Sequence, residues 1–231
     1  MHSMKRKVLV LAPHNDDETL GCGATIAKHV HNGDEVFVVS LTSIDDEHPV
    51  MAPNKPIIRA ETYKAMKILG VKEKNIIFKD LPNVLVPDIP VHTVNKVVFD
   101  VIQHVAPDIM YIPFMYDLHK DHRDIVYAAQ VAARSTTEVG RNIREIYMYE
   151  TLSETHWNID IVEGGFLPNA YNDVSGGFLD KKLRAIKAYK SQLKFFPEAR
   201  SVEAIKALAI FRGSIVGMTE AEAFMVVRKL M

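Results

Sequence analysis

Two patterns of apolar residues alternate along the chain. Short runs rich in β-branched residues, with little alternation, are typical of strands buried on both faces of a parallel sheet. Longer segments with apolar residues at helical spacing follow these runs and predict amphipathic helices. The runs at 7–11, 35–42, 75–81, 108–114 and 144–150 predict strands, and the segments at 19–33, 56–70, 91–105 and 122–136 predict helices between them.

This alternation predicts an α/β fold with a Rossmann-like, doubly wound and mostly parallel sheet. The stretch YNDVSG, residues 171–176, predicts an additional edge strand, and the helical patterns at 179–193 and 201–213 are expected to close the chain. No linker rich in proline, glycine or serine interrupts the 231 residues, so we expect a single domain over 1–231. In such sheets a ligand binds outside the carboxyl ends of the strands.

Composition narrows the range of partners. Lys and Arg total 28 and Asp and Glu total 29, and this balance argues against nucleic acid and favours a small-molecule substrate. No stretch of the sequence is long and apolar enough to predict a membrane span. Cys22 is the single cysteine, which excludes an intramolecular disulfide and predicts a cytoplasmic protein. The composition leaves open whether the chain forms a homo-oligomer.

Two dense polar clusters stand directly after predicted strands. PHNDDE, residues 13–18, follows the first strand, and DLHKDHRD, residues 117–124, follows the fourth. If these strands are neighbours where the strand order reverses, both clusters face one crevice. Four side chains then converge within metal-ligand distance: His14, Asp17, His119 and His122. Two imidazoles and one carboxylate, with a position open for water, are typical of a catalytic zinc site.

The sequence also resembles a known family. PHNDDETLGCG, followed by HKDHR, resembles the His-Pro-Asp-Asp-Glu and His-Pro-Asp-His motifs of the zinc-dependent PIG-L/LmbE family of N-acetylglucosaminyl deacetylases. RAETYKAMKILG, YMYE, KAYKSQ and AEAF resemble further family segments. The resemblance implies an LmbE-like fold, one Zn²⁺ per chain, and hydrolysis of the N-acetyl group of an N-acetylglucosamine-type sugar or conjugate.

The same resemblance implies a role for each motif residue. His14, Asp17 and His122 would bind the metal, Asp16 would be the general base, and His119 would polarise the acetyl oxygen. Adjacent residues of an extended loop point in different directions, which agrees with one carboxylate as ligand and its neighbour as base. A protonated His119 would stabilise the oxyanion that develops during hydrolysis.

Other motif positions carry weaker expectations. Asp121 is expected to orient one of the histidines through its second ring nitrogen, and Glu18 to cap the helix start or contact a neighbour. Arg59 resembles the family's substrate-contacting arginine. Asn15 and Lys120 replace prolines of the two motifs, which predicts less rigid loops because proline fixes φ.

Several alternatives stay open. The chain could be a zinc amidase for another N-acyl compound, a noncatalytic metal-binding protein, or a nucleotide-binding Rossmann protein that uses GCGAT, residues 21–25. That stretch lacks a third glycine and follows the acidic cluster rather than the strand. PHNDDE by itself could be a polar turn that caps a helix. The loop at 43–56, with Asp45, Asp46 and Glu47, is expected to be solvated, with a substrate-selective lid as the alternative.

Overall fold

A computed structural model describes residues 5–44 and 52–231, and seven strands of that part of the chain form one sheet. The strands are β1 Lys7–Ala12, β2 Glu35–Ser43, β3 Ile76–Pro82, β4 Ile109–Pro113, β5 Glu145–Tyr149, β6 Ala170–Asp173 and β7 Ala221–Lys229. The helices are α1 Asp17–His31, α2 Lys55–Leu69, α3 Val91–Val105, α4 Lys120–Ala132, α5 Asp160–Glu163, α6 Phe178–Ile186 and α7 Val202–Ile215.

The strand order is β3-β2-β1-β4-β5-β7-β6, and β1 to β5 are parallel. The order reverses between β1 and β4, which pair directly with Val8 opposite Ile109. This arrangement confirms the predicted doubly wound, mostly parallel sheet. Residues 8–12 of β1 are completely buried, as expected for the centre of such a sheet. Within the described ranges, no helix is long and apolar enough to cross a membrane.

The end of the chain differs from the prediction. Instead of closing on a helix, the chain ends in β7, which lies antiparallel between β5 and β6. The predicted edge strand is confirmed as β6, whereas α6 stops at Ile186, well before residue 193. The β7 segment begins AEAF, and Ala and Glu favour helices. Its strand conformation follows from insertion between two partner strands, which local propensity does not report.

Helices cover both faces of the sheet. Side chains of α3 and α4, including Val98, Ile102 and Ile125, pack on one face. Side chains of α1, α2 and α6, including Ile26 and Met66, pack on the other. The loop predicted at 43–56 falls partly outside the described residues, since residues 45–51 are not described and Asp45, Asp46 and Glu47 are among them.

Helix α1 approaches β5 closely at Gly21. A Cβ atom at Gly21 would lie 2.1 Å from the Tyr149 ring. That ring is fully buried, and its hydroxyl donates a 2.9 Å hydrogen bond to the Leu11 carbonyl of β1. The bond and the surrounding core hold the ring in place. The missing side chain at Gly21 therefore lets the first turn of α1 lie against the carboxyl ends of the central strands.

We expect Gly21→Ala to destabilise the protein by about 1–3 kcal/mol, because the new methyl group overpacks a fixed ring. The free energy of unfolding from urea denaturation measures this. Gly23→Ala is the matched control on the same helix. Its Cβ would lie 3.1 Å from the nearest heavy atom, a side-chain carbon of Lys182, whereas the Cβ at position 21 would lie 2.1 Å from the Tyr149 ring. Equal losses in the two variants would contradict the proposed close approach.

Candidate metal centre

The two polar clusters meet at the carboxyl ends of β1 and β4. His14 follows β1 by two residues, and its loop is fixed because Thr42 donates to the Pro13 carbonyl through both its backbone N–H, at 2.9 Å, and its hydroxyl, at 2.7 Å. His122 lies in the first turn of α4, and Asp17 is the first residue of α1. The predicted convergence of the clusters is therefore observed.

Asp17 is at the centre of the cluster and is completely buried. Its Oδ2 accepts the His14 backbone N–H at 2.8 Å and lies 3.1 Å from His122 Nε2 and 3.4 Å from His14 Nδ1. His14 Nδ1 and His122 Nε2 are 3.2 Å apart. One ligand atom from each of the three side chains lies within 4.8 Å of the others. This spacing and donor set suit a tetrahedral divalent cation with one open position.

Carboxylates hold the far side of both imidazoles. His14 Nε2 donates to Asp121 Oδ2 at 3.0 Å, and His122 Nδ1 donates to Asp117 Oδ2 at 2.8 Å. The other oxygen of Asp117 accepts the Thr155 hydroxyl at 2.6 Å. Such partners fix the tautomer and ring orientation of metal-binding histidines. The contact of Asp121 agrees with its expected orienting role. The matching role of Asp117 was missed, although it opens the DLHKDHRD cluster.

An unpaired carboxylate oxygen indicates which set of side chains would hold a cation. Asp17 Oδ1 is buried and has no hydrogen-bond partner, which is costly unless a cation faces it. A second set of side chains, His14, His119 and Asp121, also has one ligand atom each within 4.8 Å of the others. Asp121, however, already accepts hydrogen bonds from His14 and from the backbone N–H groups of Val84 and Val86. The set with Asp17 therefore fits a divalent cation better.

Asp16 has a strained backbone and an environment unlike that of its neighbour. Its φ is 103°, a left-handed value that costs a non-glycine residue on the order of 1–3 kcal/mol. Burial and the charge of Asp17 raise the pKa of Asp16 well above its usual range. Its Oδ2 has no hydrogen-bond partner and lies 3.7 Å from Arg200 Nε. No motif in the sequence singled out Arg200, because it is about 180 residues away along the chain.

The centre binds a proton tightly. Burial disfavours a charged imidazole at His122, but Asp17 and Asp117 outweigh that effect and raise its pKa to about 10. Burial likewise opposes ionisation of Asp17, but His122 and His14 hold its pKa well below the usual value. At neutral pH the pair is therefore an imidazolium and a carboxylate. A metal ion must displace the imidazolium proton.

His119 lies at the start of α4, and its surroundings determine its charge. It caps α4, with its Nδ1 accepting the Asp121 backbone N–H at 3.2 Å. Burial, together with the nearby His14, lowers the pKa of His119 to about 4. At neutral pH His119 is therefore a neutral imidazole and not the protonated form that would stabilise an oxyanion by charge. With Nδ1 acting as an acceptor, the proton of the neutral ring is on Nε2, which can still donate a hydrogen bond.

The two positions that lack the family's proline behave differently. Asn15 Nδ2 donates to the Thr62 hydroxyl of α2 at 2.8 Å, so a hydrogen bond holds the loop where the prediction expected less rigidity. Lys120 is exposed at the start of α4. Glu18 contacts its neighbours as expected, since its carboxylate accepts the hydroxyls of Tyr189 at 2.5 Å and Thr19 at 2.7 Å.

A cavity of about 290 Å³ opens beside the centre. His14, Asp16 and His119 line it on one side, and Arg59 and Arg200 are among the residues around it. Arg59 forms an ion pair with Asp80 and lies over the Phe78 ring at 4.9 Å. The predicted substrate-contacting arginine therefore reaches the same cavity as the proposed base.

The GCGAT stretch, residues 21–25, makes contacts inside the protein that bear on the nucleotide-binding alternative. It lies inside α1, where Gly21 packs on the Tyr149 ring. The backbone N–H groups of Ala24 and Thr25 donate to Glu222 at 3.1 and 2.7 Å. Cys22, in the same stretch, is fully buried. The nucleotide-binding alternative loses its support, because that motif requires free N–H groups at a helix start.

Comparison with known proteins gives a match over the part of the chain that carries both motifs. The family profile described as PIG-L, GlcNAc-PI de-N-acetylase, matches residues 9–133, more than half of the 231 residues. Diacetylchitobiose deacetylase of Thermococcus kodakarensis is 28% identical over 232 residues, covering 94% of this chain and 81% of that protein.

Two solved structures resemble the chain along nearly its whole length. N,N'-diacetylchitobiose deacetylase of Pyrococcus horikoshii superposes with a TM-score of 0.74 at 24% identity and covers 97% of this chain and 84% of its own. GalB, the 4-carboxy-2-hydroxymuconate hydratase of Pseudomonas putida KT2440, has a TM-score of 0.74 at 21% identity and covers 98% of each chain. At these identities the likeness shows the fold alone, and the fold serves more than one reaction.

Binding of zinc to the metal-free protein at pH 7 should release about one proton or more per ion, since His122, with a pKa of about 10, must lose its proton to become a ligand. The apparent zinc affinity should therefore rise as the pH increases towards that pKa. Isothermal titration calorimetry in buffers of different ionisation enthalpy measures the release. A zinc affinity that is independent of pH, with no proton release, would contradict the assignment of His122.

Proposed function

The chain belongs to the PIG-L family of GlcNAc-PI de-N-acetylases, and on that basis we propose that it is a metal-dependent N-deacetylase for an N-acetylglucosamine-type sugar or conjugate. The observation that carries this proposal is the cluster of the half-buried His14 with the buried Asp17 and His122, with Asp16 next to it. Zinc is the metal that this His-carboxylate-His set suits best. A cytoplasmic location and a homo-oligomer stay predictions.

The proposed roles follow from the contacts of each side chain. His14, Asp17 and His122 would hold the ion, which as a Lewis acid lowers the pKa of water to about 7. Asp16 would accept a proton from the water that attacks the amide carbonyl, and would return it to the nitrogen as the C–N bond breaks. Acetate and the free amine are the products. The raised pKa of Asp16 suits this exchange, because a base works best near the operating pH.

His119 and the arginines would act on the substrate. The free Nε2–H of neutral His119 can donate to the acetyl oxygen as its negative charge develops. Buried polar atoms without a hydrogen-bond partner are present in three cavity-lining side chains, at Arg59 Nε, Asn83 Oδ1 and Arg200 Nε. A ligand with several hydroxyl groups would satisfy such atoms. This supports a sugar over a small N-acetyl amino acid.

We expect purified protein to bind about one zinc ion per chain, because His14, Asp17 and His122 form one ligand set that fits a divalent cation. We also expect it to release amine from N-acetylglucosamine conjugates. Elemental analysis and an amine-release assay over a panel of N-acetyl compounds, with and without chelator, measure both. Hydrolysis of N-acetyl amino acids but of no sugar would favour the amidase alternative. Full activity after removal of the metal would contradict the mechanism.

Asp16→Asn and Asp17→Ala should separate the two neighbouring carboxylates. Asp16→Asn should keep zinc and lower kcat by about 10²–10⁴-fold, since a general base is lost. Its thermal stability should be unchanged or higher, because Asn tolerates a left-handed φ and an amide is buried at lower cost than a carboxylate. Asp17→Ala should lose zinc and activity together.

Bound zinc, kcat and thermal unfolding are measured on both variants side by side. Loss of zinc from Asp16→Asn but not from Asp17→Ala would reverse the two roles. Zinc binding without any dependence of activity on Asp16 would favour a noncatalytic metal-binding protein.

A further inference from the structure

Helix α1 is broken one turn after the proposed metal ligand. Cys22 has φ −141° and ψ 26°, which are not helical values, so residues 17–21 form a first turn whose direction differs from that of the rest of the helix. A kink of this kind needs a cause, such as a side chain inserted into the ladder of helical hydrogen bonds. The first turn contains Asp17, and it directly follows Asp16.

Lys182 of α6 and Glu222 of β7 supply that insertion. In a regular helix the Ala24 N–H donates to the Leu20 carbonyl. Here the Leu20 carbonyl accepts from Lys182 Nζ at 2.7 Å, and the Ala24 N–H donates to Glu222 at 3.1 Å. The two side chains are joined by a 2.6 Å ion pair. A charged pair thus takes up both ends of one helical hydrogen bond.

Burial of this pair is hard to explain by stability alone. The side chains of Lys182 and Glu222 are 4% and 3% exposed. Buried ion pairs often stabilise a protein no better than apolar side chains of the same size, because both charges must be desolvated. Their distinctive effect is geometric, since the hydrogen bonds fix the two halves of α1 relative to α6 and β7.

The pair is connected to Asp16 through a single residue. Leu20, whose carbonyl is held by Lys182, donates its own N–H to the Asp16 carbonyl at 2.8 Å. A shift of Leu20 would therefore move the strained backbone of Asp16 and, with it, Asp17. Neither Lys182 nor Glu222 is among the residues that line the cavity beside the metal centre.

We propose that Lys182 and Glu222 are positioning residues that hold the break in α1 and thereby set where the carboxylates of Asp16 and Asp17 lie. The catalytic part of this inference rests on the proposed deacetylase function, whereas its effect on metal binding does not. The pair acts through the backbone of the first turn and touches no substrate.

Three variants test the proposal: Lys182→Met, Glu222→Gln, and the double variant Lys182→Met/Glu222→Leu. Loss of one partner should weaken zinc binding by about 10–100-fold, the range seen when the outer partners of a metal site are removed. At saturating zinc, kcat should fall while KM changes little, because substrate contacts are untouched. Zinc affinity is measured by competition with a chromophoric chelator, and stability by thermal unfolding.

The double variant separates positioning from stability. Its apolar pair should recover thermal stability relative to the single variants, because no unpaired charge is left buried and α1 can regain its regular hydrogen bonds. Zinc affinity should nevertheless stay low, since a straightened helix misplaces Asp17. If the single variants fail to fold, the double variant carries the test alone.

Asp34→Asn is the matched control. Asp34 is buried and accepts from His29 of α1 at 2.7 Å and from Arg6 at 3.0 Å, but it holds the far end of that helix. It should lower stability and leave zinc affinity and kcat unchanged. Wild-type zinc affinity in all three test variants, or affinity that returns together with stability in the double variant, would overturn the proposal. Absence of activity in every protein, with the expected loss of zinc affinity, would refute the proposed function alone.

Discussion

The completely buried carboxylate of Asp17 is the group on which the arrangement of the site depends. An isolated buried charge is very costly, so the surrounding structure must compensate it. Here the backbone N–H of His14 and the rings of His14 and His122 do so, from the loop after β1 and from the first turn of α4. These two segments can meet only because β1 and β4 are neighbours where the strand order reverses.

Two sets of contacts around Asp17 hold the groups that compensate its charge. Behind the imidazoles, Asp117 and Asp121 fix ring orientation, and Asp121 also holds the loop after β3 through the N–H groups of Val84 and Val86. Behind Asp17 itself, Gly21 lets α1 approach Tyr149. The layers around the centre thus serve to hold one turn of helix and two rings in place.

Strain and unusual charge states are concentrated at the same place. Asp16 combines a left-handed φ with a raised pKa, and burial and His14 keep His119 neutral although Asp121 Oδ2 lies 3.9 Å from its Nδ1. Folding alone would favour a relaxed backbone and paired charges at these positions. Their presence next to one cavity is the pattern expected of a site selected for chemistry at some expense of stability.

The sequence by itself predicted the α/β architecture and the side chains that the structure brings together at the candidate metal centre. Hydrophobic periodicity is a local property, so five strands and the helices between them were readable, and the two polar clusters stood directly after strands that a doubly wound sheet brings together. It also predicted the edge strand β6 and the contact of Asp121 with an imidazole.

Only the tertiary structure decided the features that depend on contacts distant along the chain. The strand conformation of β7 comes from its two partner strands, the neutral state of His119 from burial, and the proximity of Arg200 to Asp16 from the packing of a remote loop. The contact of Glu222 with the break in α1 joins residues about 200 positions apart. Sequence patterns report which side chains are available, whereas desolvation and long-range hydrogen bonds exist only once the chain has folded around them.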